Sequence, residues 1–401
     1  MNGLWIIDIY KGRIMEKKLE EILQEIEKKG DLDSKAIDEA KARQEILAKP
    51  TGALGDLEDI SVKLAGITGK VKNEIREQAI AIFSADNGVV EEGVASAPQS
   101  VTYSQTINFT RRLTGVGSMS KYFGIDLLVV DMGMKTPAPE KFYNDEMFAT
   151  ACEKCEGRFC KTAICDRIIN RRLGEGTKNL AKEPAMTREE LEKAILTGVE
   201  AVDALYKAEF NIFGVGEMGI GNTTTSACVL AALTEKTASD VVGRGGGLND
   251  EGLKKKINIV DEAIKGLSKG DVLSILERVG GFDIAAMVGA YLGAAIYRMP
   301  VVIDGYISAV AALAASVLSP KTKNFMFTSH KSKEPGYKIA IDSLGIKPMF
   351  DLGMRLGEGS GCPIAFKIIE TACATMNGMA TYAEGAIDAD YLDERKKGNF
   401  F

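Results

Sequence analysis

The sequence predicts an α/β fold built on a doubly wound parallel sheet. Five short apolar runs are continuous instead of alternating with polar residues, which is typical of strands buried on both faces. A longer stretch with helical periodicity follows most of them, so crossover helices should connect parallel strands. Apolar residues make up 45% and charged residues 26% of the 401 residues, the balance of a globular protein with a large core.

Amphipathic helices precede the first predicted strand. Residues 15–49 carry apolar side chains at three- and four-residue spacing among lysines and glutamates, with a turn and cap at residues 31–34. The five apolar runs then occupy residues 79–88, 125–134, 210–219, 299–306 and 325–330. Because ligands bind beyond the carboxyl ends of the strands in such sheets, functional residues are expected there. The polar residues at those five ends are Asp86, Asp131, Glu217, Asp304 and His330.

Composition and charge exclude several functions. The net charge is −6 and no basic run with interleaved aromatic residues occurs, so nucleic acid is not an expected partner. The longest apolar stretches fall short of the ~20 residues that span a bilayer, and no export signal is recognisable. The sequence therefore predicts a cytoplasmic protein without membrane contact. The single histidine, His330, excludes zinc sites that need two histidines.

The strongest local motif is a glycine-rich loop in residues 213–233, between a predicted strand and an alanine-rich helix. Its glycines allow close approach of a phosphate, and the helix start offers free N–H groups, so the loop is a candidate phosphate cradle. A tight turn with a threonine cap is the alternative. The loop also fits the G-x-G-x-x-G pattern of dinucleotide enzymes, although Glu217 inside it would repel a pyrophosphate.

Two further glycine clusters carry candidate chemical groups. Residues 241–257 combine glycines and an arginine with three successive lysines, of which one is expected to reach an anion. In residues 350–365, Glu358 stands between two glycines just before a predicted helix. A carboxylate presented in this way can serve as a general base, the alternative being a surface glutamate on a loop.

Four cysteines lie close together in a polar insert at residues 135–165. Clustered thiolates suit a small zinc or iron–sulfur site, although their spacing matches no standard pattern. Free cytosolic thiols are the alternative. The candidate metal ligands are Cys152, Cys155, Cys160 and Cys165.

Ordered sequence blocks extend from about residue 15 to the C-terminus. They are KPTGALGDLEDISVKLAGITGK (49–70), GVVEEGV (88–94), PQSVT (98–102), GEGTKNLAKEPAMTREE (174–190), GVGEMGIGNTTTSA (214–227), GRGGGLNDEGLKKKI (243–257), GGFDIAAMVGAYLGA (280–294), VIDGY (302–306), SHKSKEPGY (329–337) and RLGEGSGCP (355–363). Together and in this order they resemble the nicotinate-nucleotide:5,6-dimethylbenzimidazole phosphoribosyltransferase family, whose product is the lower-ligand nucleotide of cobamides.

The resemblance implies transfer of the 5-phosphoribosyl group from nicotinate mononucleotide to an aromatic base, which gives the alpha-riboside phosphate and nicotinate. It also implies a Rossmann-like sheet with a smaller helical domain. We divide the chain accordingly into N-terminal helices of the small domain (1–50), a large α/β domain with the cysteine insert (51–345) and a C-terminal segment with the catalytic glutamate loop (346–401).

The family's functional residues are matched position by position, and Glu358 takes the place of the general base. Asp304, at its strand end, joins the candidate substrate-binding residues. The matched positions that would bind substrate are Glu217, Gly219, Gly221, Asn222, Thr223, Gly245, Lys256, Ser332, Leu356 and Gly357.

The sequence departs from the family pattern on the acceptor side. Ala95 and Tyr103 stand where relatives use a serine and a glutamine toward the benzimidazole, and Asn87 replaces a usual histidine. The acceptor is therefore 5,6-dimethylbenzimidazole or a related benzimidazole, a purine or a phenol. The resemblance implies no required cofactor and a homodimer, or a heterodimer with a paralogue. A NAD-dependent oxidoreductase and a catalytically weak paralogue that acts as a partner subunit are the alternatives.

Overall fold

A parallel sheet forms the centre of the fold. The computed structural model of the protein describes residues 18–147 and 167–388. Its strands are β1 (Gln78–Ala85), β2 (Asp126–Gly133), β3 (Tyr143–Asn144), β4 (Ile168–Asn170), β5 (Ile212–Met218), β6 (Val301–Ile303) and β7 (Met326–Thr328). They lie in the order β3-β4-β2-β1-β5-β6-β7, and each neighbouring pair is parallel.

Helices connect these strands and extend both ends of the described chain. They are α1 (Leu19–Lys29), α2 (Ser34–Ile46), α3 (Asp56–Thr68), α4 (Ser100–Thr110), α5 (Gly115–Phe123), α6 (Arg188–Lys207), α7 (Asn222–Thr234), α8 (Ala238–Val241), α9 (Asp250–Ala263), α10 (Val272–Val279), α11 (Phe282–Tyr297), α12 (Tyr306–Leu318), α13 (Pro335–Leu344) and α14 (Cys362–Gly378). In the described part of the chain, none of them has the length and apolar character needed to cross a bilayer.

The predicted α/β fold is confirmed. All five predicted strands form, and every residue of β1 and β2 is buried, which explains why their apolar runs are continuous. The predicted N-terminal helices are α1 and α2, and the Asp33 side chain caps α2 by accepting the Ala36 N–H at 2.9 Å. The sequence does not predict β3 and β4, because β3 has no aliphatic residue and the two isoleucines of β4 stand between polar residues.

The strand order reverses at β1. The chain passes from β1 to β2 on one side and later returns to β5 on the other, with Phe83 paired to Glu217. Connections diverge from the carboxyl ends of strands at such a reversal, which leaves a crevice for a ligand. The fold therefore places a site beyond the ends of β1, β5 and β6.

Close packing of α6 against α11 supports one face of the sheet. A Cβ atom at Gly289 would lie 1.8 Å from the Ile195 carbonyl oxygen, and one at Gly198 would lie 1.9 Å from the Ala286 carbonyl oxygen. Both neighbours are backbone atoms, so the helices would have to separate to admit any side chain.

We therefore expect Gly289→Ala to lower the free energy of unfolding by about 2 kcal/mol or more, as overpacked cores do. Thermal unfolding followed by circular dichroism measures the change. Gly378→Ala is the control, because Gly378 is also helical and no heavy atom lies within 4 Å of the added Cβ. Equal unfolding midpoints for the two variants would contradict the packing argument.

The described residues divide into two compact units. The larger extends to Gly30 and from Glu77 to Ala365, and the smaller comprises Asp31–Arg76 and the chain from Phe366 onward. The predicted divisions after residues 50 and 345 fall inside these units. Within the smaller unit, the Lys49 and Glu58 side chains form a largely buried ion pair at 2.8 Å. Its core includes Ala36, Ala40, Ala65 and Met376.

Candidate active site

Two of the five polar strand ends border a cavity. Glu217 in β5 and Asp304 after β6 line a cavity of about 330 Å³ in the larger unit. Asp86 and Asp131 instead accept hydrogen bonds from nearby backbone and side-chain groups. The His330 imidazole is fully buried, and burial lowers its pKa to about 4, so it is neutral at pH 7. The site is thus concentrated at β5 and β6.

The three glycine clusters of the sequence meet at this cavity. The first two are neighbours in the chain and the third lies about a hundred residues later, and the fold brings all three loops to the cavity. The predicted site residues that line the cavity are Glu217, Gly219, Asn222, Thr223, Gly245, Asp304, Ser332, Leu356, Gly357 and Glu358.

A tight turn presents Glu358 to the cavity. Glu358 has φ +65°, and the flanking Gly357 and Gly359 have φ +84° and +85°. A left-handed conformation costs a residue with a Cβ roughly 1–2 kcal/mol, so the surrounding structure must hold the turn. Gly216 in β5 provides the space, because a Cβ there would lie 2.4 Å from the Glu358 carbonyl oxygen.

Both carboxylate oxygens of Glu358 accept hydrogen bonds. Oε2 accepts the Val116 N–H at 3.2 Å, and Oε1 accepts the Gln105 side-chain amide at 3.4 Å. Burial raises the pKa of Glu358, while hydrogen bonds from Val116, Gly115 and other donors lower it. A buried acid with a raised pKa that borders a cavity is suited to general acid–base catalysis.

Asp304 binds the backbone of the turn that carries Glu358. Its Oδ2 accepts the Gly359 N–H at 3.0 Å, and its Oδ1 accepts the Gly361 N–H at 2.6 Å. Burial is the main reason that the pKa of Asp304 rises to about 7, and the nearby Glu358 carboxylate adds to the rise. These two hydrogen bonds from backbone N–H groups fix the orientation of the turn relative to β6.

A second acidic pair lies deeper in the site. The Asn222 side-chain amide donates to Glu217 and, at 3.0 Å, to Asp283 Oδ2. Burial raises the pKa of Glu217 to about 8, and the proximity of Asp283 acts in the same direction. Burial also raises the pKa of Asp283 to about 7. One amide thus links two carboxyl groups that do not both ionise readily at pH 7.

The part of the cavity at the start of α7 suits an anion. α7 begins there at Asn222, and a helix start carries free N–H groups and a partial positive charge. The Lys256 ammonium is buried directly behind it and donates to Thr223 Oγ1 at 2.8 Å and to the Gly243 carbonyl at 3.2 Å. Burial lowers the pKa of Lys256 to about 8. An anion at this point would lie near the Lys256 charge and the loop's backbone N–H groups, although the Ile220 N–H already donates to Thr102 Oγ1 and the Asn222 N–H to the Gly219 carbonyl.

Four predicted site residues do not line the cavity. Gly221 precedes α7, and Lys256 acts through its contact with Thr223. Ala95 and Tyr103, predicted on the acceptor side, lie outside the lining. Instead, Val101 and Gln105 of α4 face the cavity; their four-residue spacing on a helix is the signal that would have found them.

Sequence reasoning also missed residues that border the cavity from other segments. Asp283 is buried and contacts the lining residue Asn222. The two glycines that precede it in the sequence indicate no role for its carboxyl group. The others lie in the second and third glycine clusters and in the segments that follow β6 and β7. These unpredicted lining residues include Gly246, Gly305, Tyr306, Ile307, Ser308, Glu334 and Arg355.

The predicted metal site cannot be placed on the fold. Cys152, Cys155, Cys160 and Cys165 lie outside the described residues, so metal binding there stays a prediction. Within residues 18–147 and 167–388, no three or more histidine, cysteine, aspartate or glutamate side chains are grouped so that they could hold a metal ion. The remaining cysteines in these ranges, Cys228, Cys362 and Cys373, are free and buried.

Comparison with known proteins identifies close relatives over nearly the whole chain. A family model described as phosphoribosyltransferase matches residues 30–387. A nicotinate-nucleotide–dimethylbenzimidazole phosphoribosyltransferase from Clostridium perfringens is 51% identical over 380 residues, 94% of this chain and 98% of the relative. A protein of the same name from Clostridium tetani is 44% identical over 388 residues, 96% of this chain and 99% of the relative.

The fold is also similar to a solved structure. The crystal structure of a nicotinate-nucleotide–dimethylbenzimidazole phosphoribosyltransferase from Thermus thermophilus matches with a TM-score of 0.79 and 32% sequence identity. The match covers 89% of this chain and 99% of that one.

Proposed function

We propose, because the chain belongs to the nicotinate-nucleotide–dimethylbenzimidazole phosphoribosyltransferase family, that its cavity transfers 5-phosphoribosyl from nicotinate mononucleotide to an aromatic base. The protein is thus a pentosyl transferase of cobamide nucleotide assembly. The observation that carries the proposal is that one cavity is lined both by a buried glutamate and by a helix start beside a buried lysine.

The donor phosphate would bind at the start of α7. The Gly219–Thr223 loop would offer the N–H groups that it does not use in its own hydrogen bonds, and Lys256 would add charge through the Thr223 side of the loop. The ribose would then extend along the cavity toward Glu358. Ser332 and Gly245, which also line the cavity, would border the phosphate end.

The chemistry needs three contributions from the protein. In the donor, the pyridine nitrogen is cationic and departs as a neutral ring, so no pyrophosphate charge has to be neutralised. A nitrogen of the acceptor forms the new bond to the anomeric carbon while the bond to nicotinate breaks. Glu358 takes the N–H proton of the acceptor, and the cavity holds both reactants in contact and limits water.

The acceptor end lies beside α4. Val101 and Leu356 offer apolar contacts, and the Gln105 side chain offers a polar one next to Glu358. These groups suit a flat aromatic ring with an N–H or O–H that faces the carboxylate. We propose dimethylbenzimidazole as the first acceptor to test, with another benzimidazole, adenine and a phenol as the others.

Product analysis tests the proposed function. Purified protein is incubated with nicotinate mononucleotide and each acceptor, and the riboside phosphates are identified by mass. We expect release of nicotinate only when an acceptor is present, with the new riboside phosphate formed in equal amount. Exclusive use of dimethylbenzimidazole would reject a shifted acceptor range, and failure with every acceptor would favour the catalytically weak paralogue.

Donor binding should depend on pH through Lys256. Its ammonium is charged below the pKa of about 8 and neutral above it, so kcat/KM for nicotinate mononucleotide should fall as the pH rises through about 8. Lys256→Met should raise the KM for the donor about tenfold or more and remove this alkaline limb. Lys254→Met is the control, because Lys254 is an exposed lysine of the same helix. An unchanged alkaline limb in Lys256→Met would contradict the role.

The alternatives rest on weaker support. The relatives described above are all phosphoribosyltransferases, and nothing among them favours a NAD-dependent oxidoreductase. Incubation with NAD and candidate alcohols, followed by absorbance, tests that alternative directly. We also propose that the chain forms a homodimer or a heterodimer with a paralogue and resides in the cytoplasm. Light scattering of the purified chain tests the first of these assemblies.

A further inference from the structure

The Glu358 carboxylate contacts the first turn of α5. Sequence reasoning did not connect this helix with the site. α5 spans Gly115–Phe123, with Thr114 as its N-cap. The Val116 N–H donates to Glu358 Oε2 at 3.2 Å. Because the first N–H groups of a helix have no partner within the helix, they are free to bind a carboxylate.

The start of α5 is shaped to admit this contact. A Cβ atom at Gly115 would lie 3.2 Å from Glu358 Oε2 and 2.5 Å from the Leu356 side chain. A larger residue at position 115 would therefore crowd the Leu356 side chain and the Glu358 carboxylate. The Thr114 hydroxyl accepts the Gly117 N–H at 3.0 Å as a helix cap, and the Thr114 side chain also lowers the pKa of the nearby Glu358 carboxyl.

The other titratable groups near Glu358 oppose its negative charge. Asp304 after β6 and Glu217 in β5 are the titratable groups that face the turn, and both are acids. α4 contributes the neutral Gln105. Burial disfavours the ionised form further, so α5 supplies most of the favourable contacts with the carboxylate.

We propose that the N-terminal turn of α5 positions the general base, with the Val116 N–H and the Thr114 hydroxyl keeping the Glu358 carboxylate oriented and ready to accept a proton. This inference rests on the proposed function of Glu358. In the reaction, the acceptor N–H proton moves to the carboxylate as the new carbon–nitrogen bond forms and the bond to nicotinate breaks. A carboxyl group that is already protonated cannot take that proton, so the α5 contacts decide the pH at which the base works.

Val116→Pro tests the proposal because proline removes the backbone N–H and is tolerated in the first turn of a helix. The measurement is kcat/KM for the acceptor base from pH 5 to 9, with saturating nicotinate mononucleotide. We expect the acid limb of Val116→Pro to move upward by about one pH unit, since loss of a charge-assisted hydrogen bond raises the pKa of the base. Val116→Ala removes side-chain volume but keeps the N–H, so its acid limb should coincide with that of the unchanged protein.

A folded Val116→Pro variant whose acid limb does not move would overturn the proposal. If thermal unfolding shows that this variant does not fold, Thr114→Ala and Thr114→Ser decide the question. The alanine variant should shift the limb upward by about half a unit, whereas the serine variant, which retains a hydroxyl, should not. Coincident limbs for these two variants would also overturn it.

Comparison with a Glu358→Gln variant separates this inference from the proposed function. If Glu358→Gln retains full turnover, Glu358 is not the base and the proposed role itself fails. If Glu358→Gln is inactive while the acid limb is unmoved in the α5 variants, only the positioning role of α5 fails.

Discussion

Glu358→Gln should lower kcat for riboside formation by about 10²-fold or more while the KM for nicotinate mononucleotide changes little. Glutamine keeps the length of the side chain and an oxygen that can accept the Val116 N–H, but it cannot take the acceptor proton. The donor phosphate would bind at the start of α7 without using the Glu358 carboxylate, so its affinity should persist. Initial rates of nicotinate release at several donor concentrations measure both constants.

Glu192→Gln is the matched control for this variant. Glu192 is an exposed residue of α6 outside the cavity, and the same charge is removed there. The control should retain the rate of the unchanged protein. A Glu358→Gln variant with the rate of the control would show that another group removes the proton.

Gly216→Ala should also abolish most of the activity, although Gly216 would touch no substrate. The added Cβ would lie 2.4 Å from the Glu358 carbonyl oxygen, 2.7 Å from its carbonyl carbon and 2.8 Å from the Gly359 nitrogen. All three are backbone atoms, so the glutamate turn must move. Because a displacement of about 1 Å in a catalytic group can cost roughly 10²-fold in rate, we expect kcat to fall by at least tenfold.

Gly270→Ala is the control for this backbone effect, because no heavy atom lies within 4 Å of a Cβ at that position. Thermal unfolding shows whether Gly216→Ala remains folded at the assay temperature. A folded Gly216→Ala variant with unchanged kcat would mean that the position of the turn does not matter for catalysis.

Much of the fold could be predicted from the sequence because buried parallel strands have a strong pattern. β1 and β5 are largely apolar and lead into glycine or acidic residues, so both their existence and the site at their ends follow from local sequence. The division into units is harder to predict. Residues 51–76 belong with residues 366 onward in the smaller unit, a pairing of distant segments that no local pattern reveals.

The residues that touch the cavity could be predicted, but those that hold them in place could not. Glu358 and Asn222 stand in glycine-rich motifs with an evident chemical use. Asp283 lies within an apolar helix start and Val116 acts through its backbone N–H, so neither side chain signals its role. On the acceptor side, the position around the axis of α4 determines which side chains line the cavity. Gln105 lines it, whereas Tyr103, two residues earlier on the same helix, does not.

A crystal structure of the protein soaked with nicotinate mononucleotide tests the central claim most directly. We predict that the donor's 5′-phosphate contacts the backbone amides of Gly219–Thr223 and lies close to Lys256. The anomeric carbon should then face the Glu358 carboxylate with room between them for a flat ring. A phosphate bound away from the start of α7, or a Glu358 side chain separated from the anomeric carbon by protein atoms, would contradict the account.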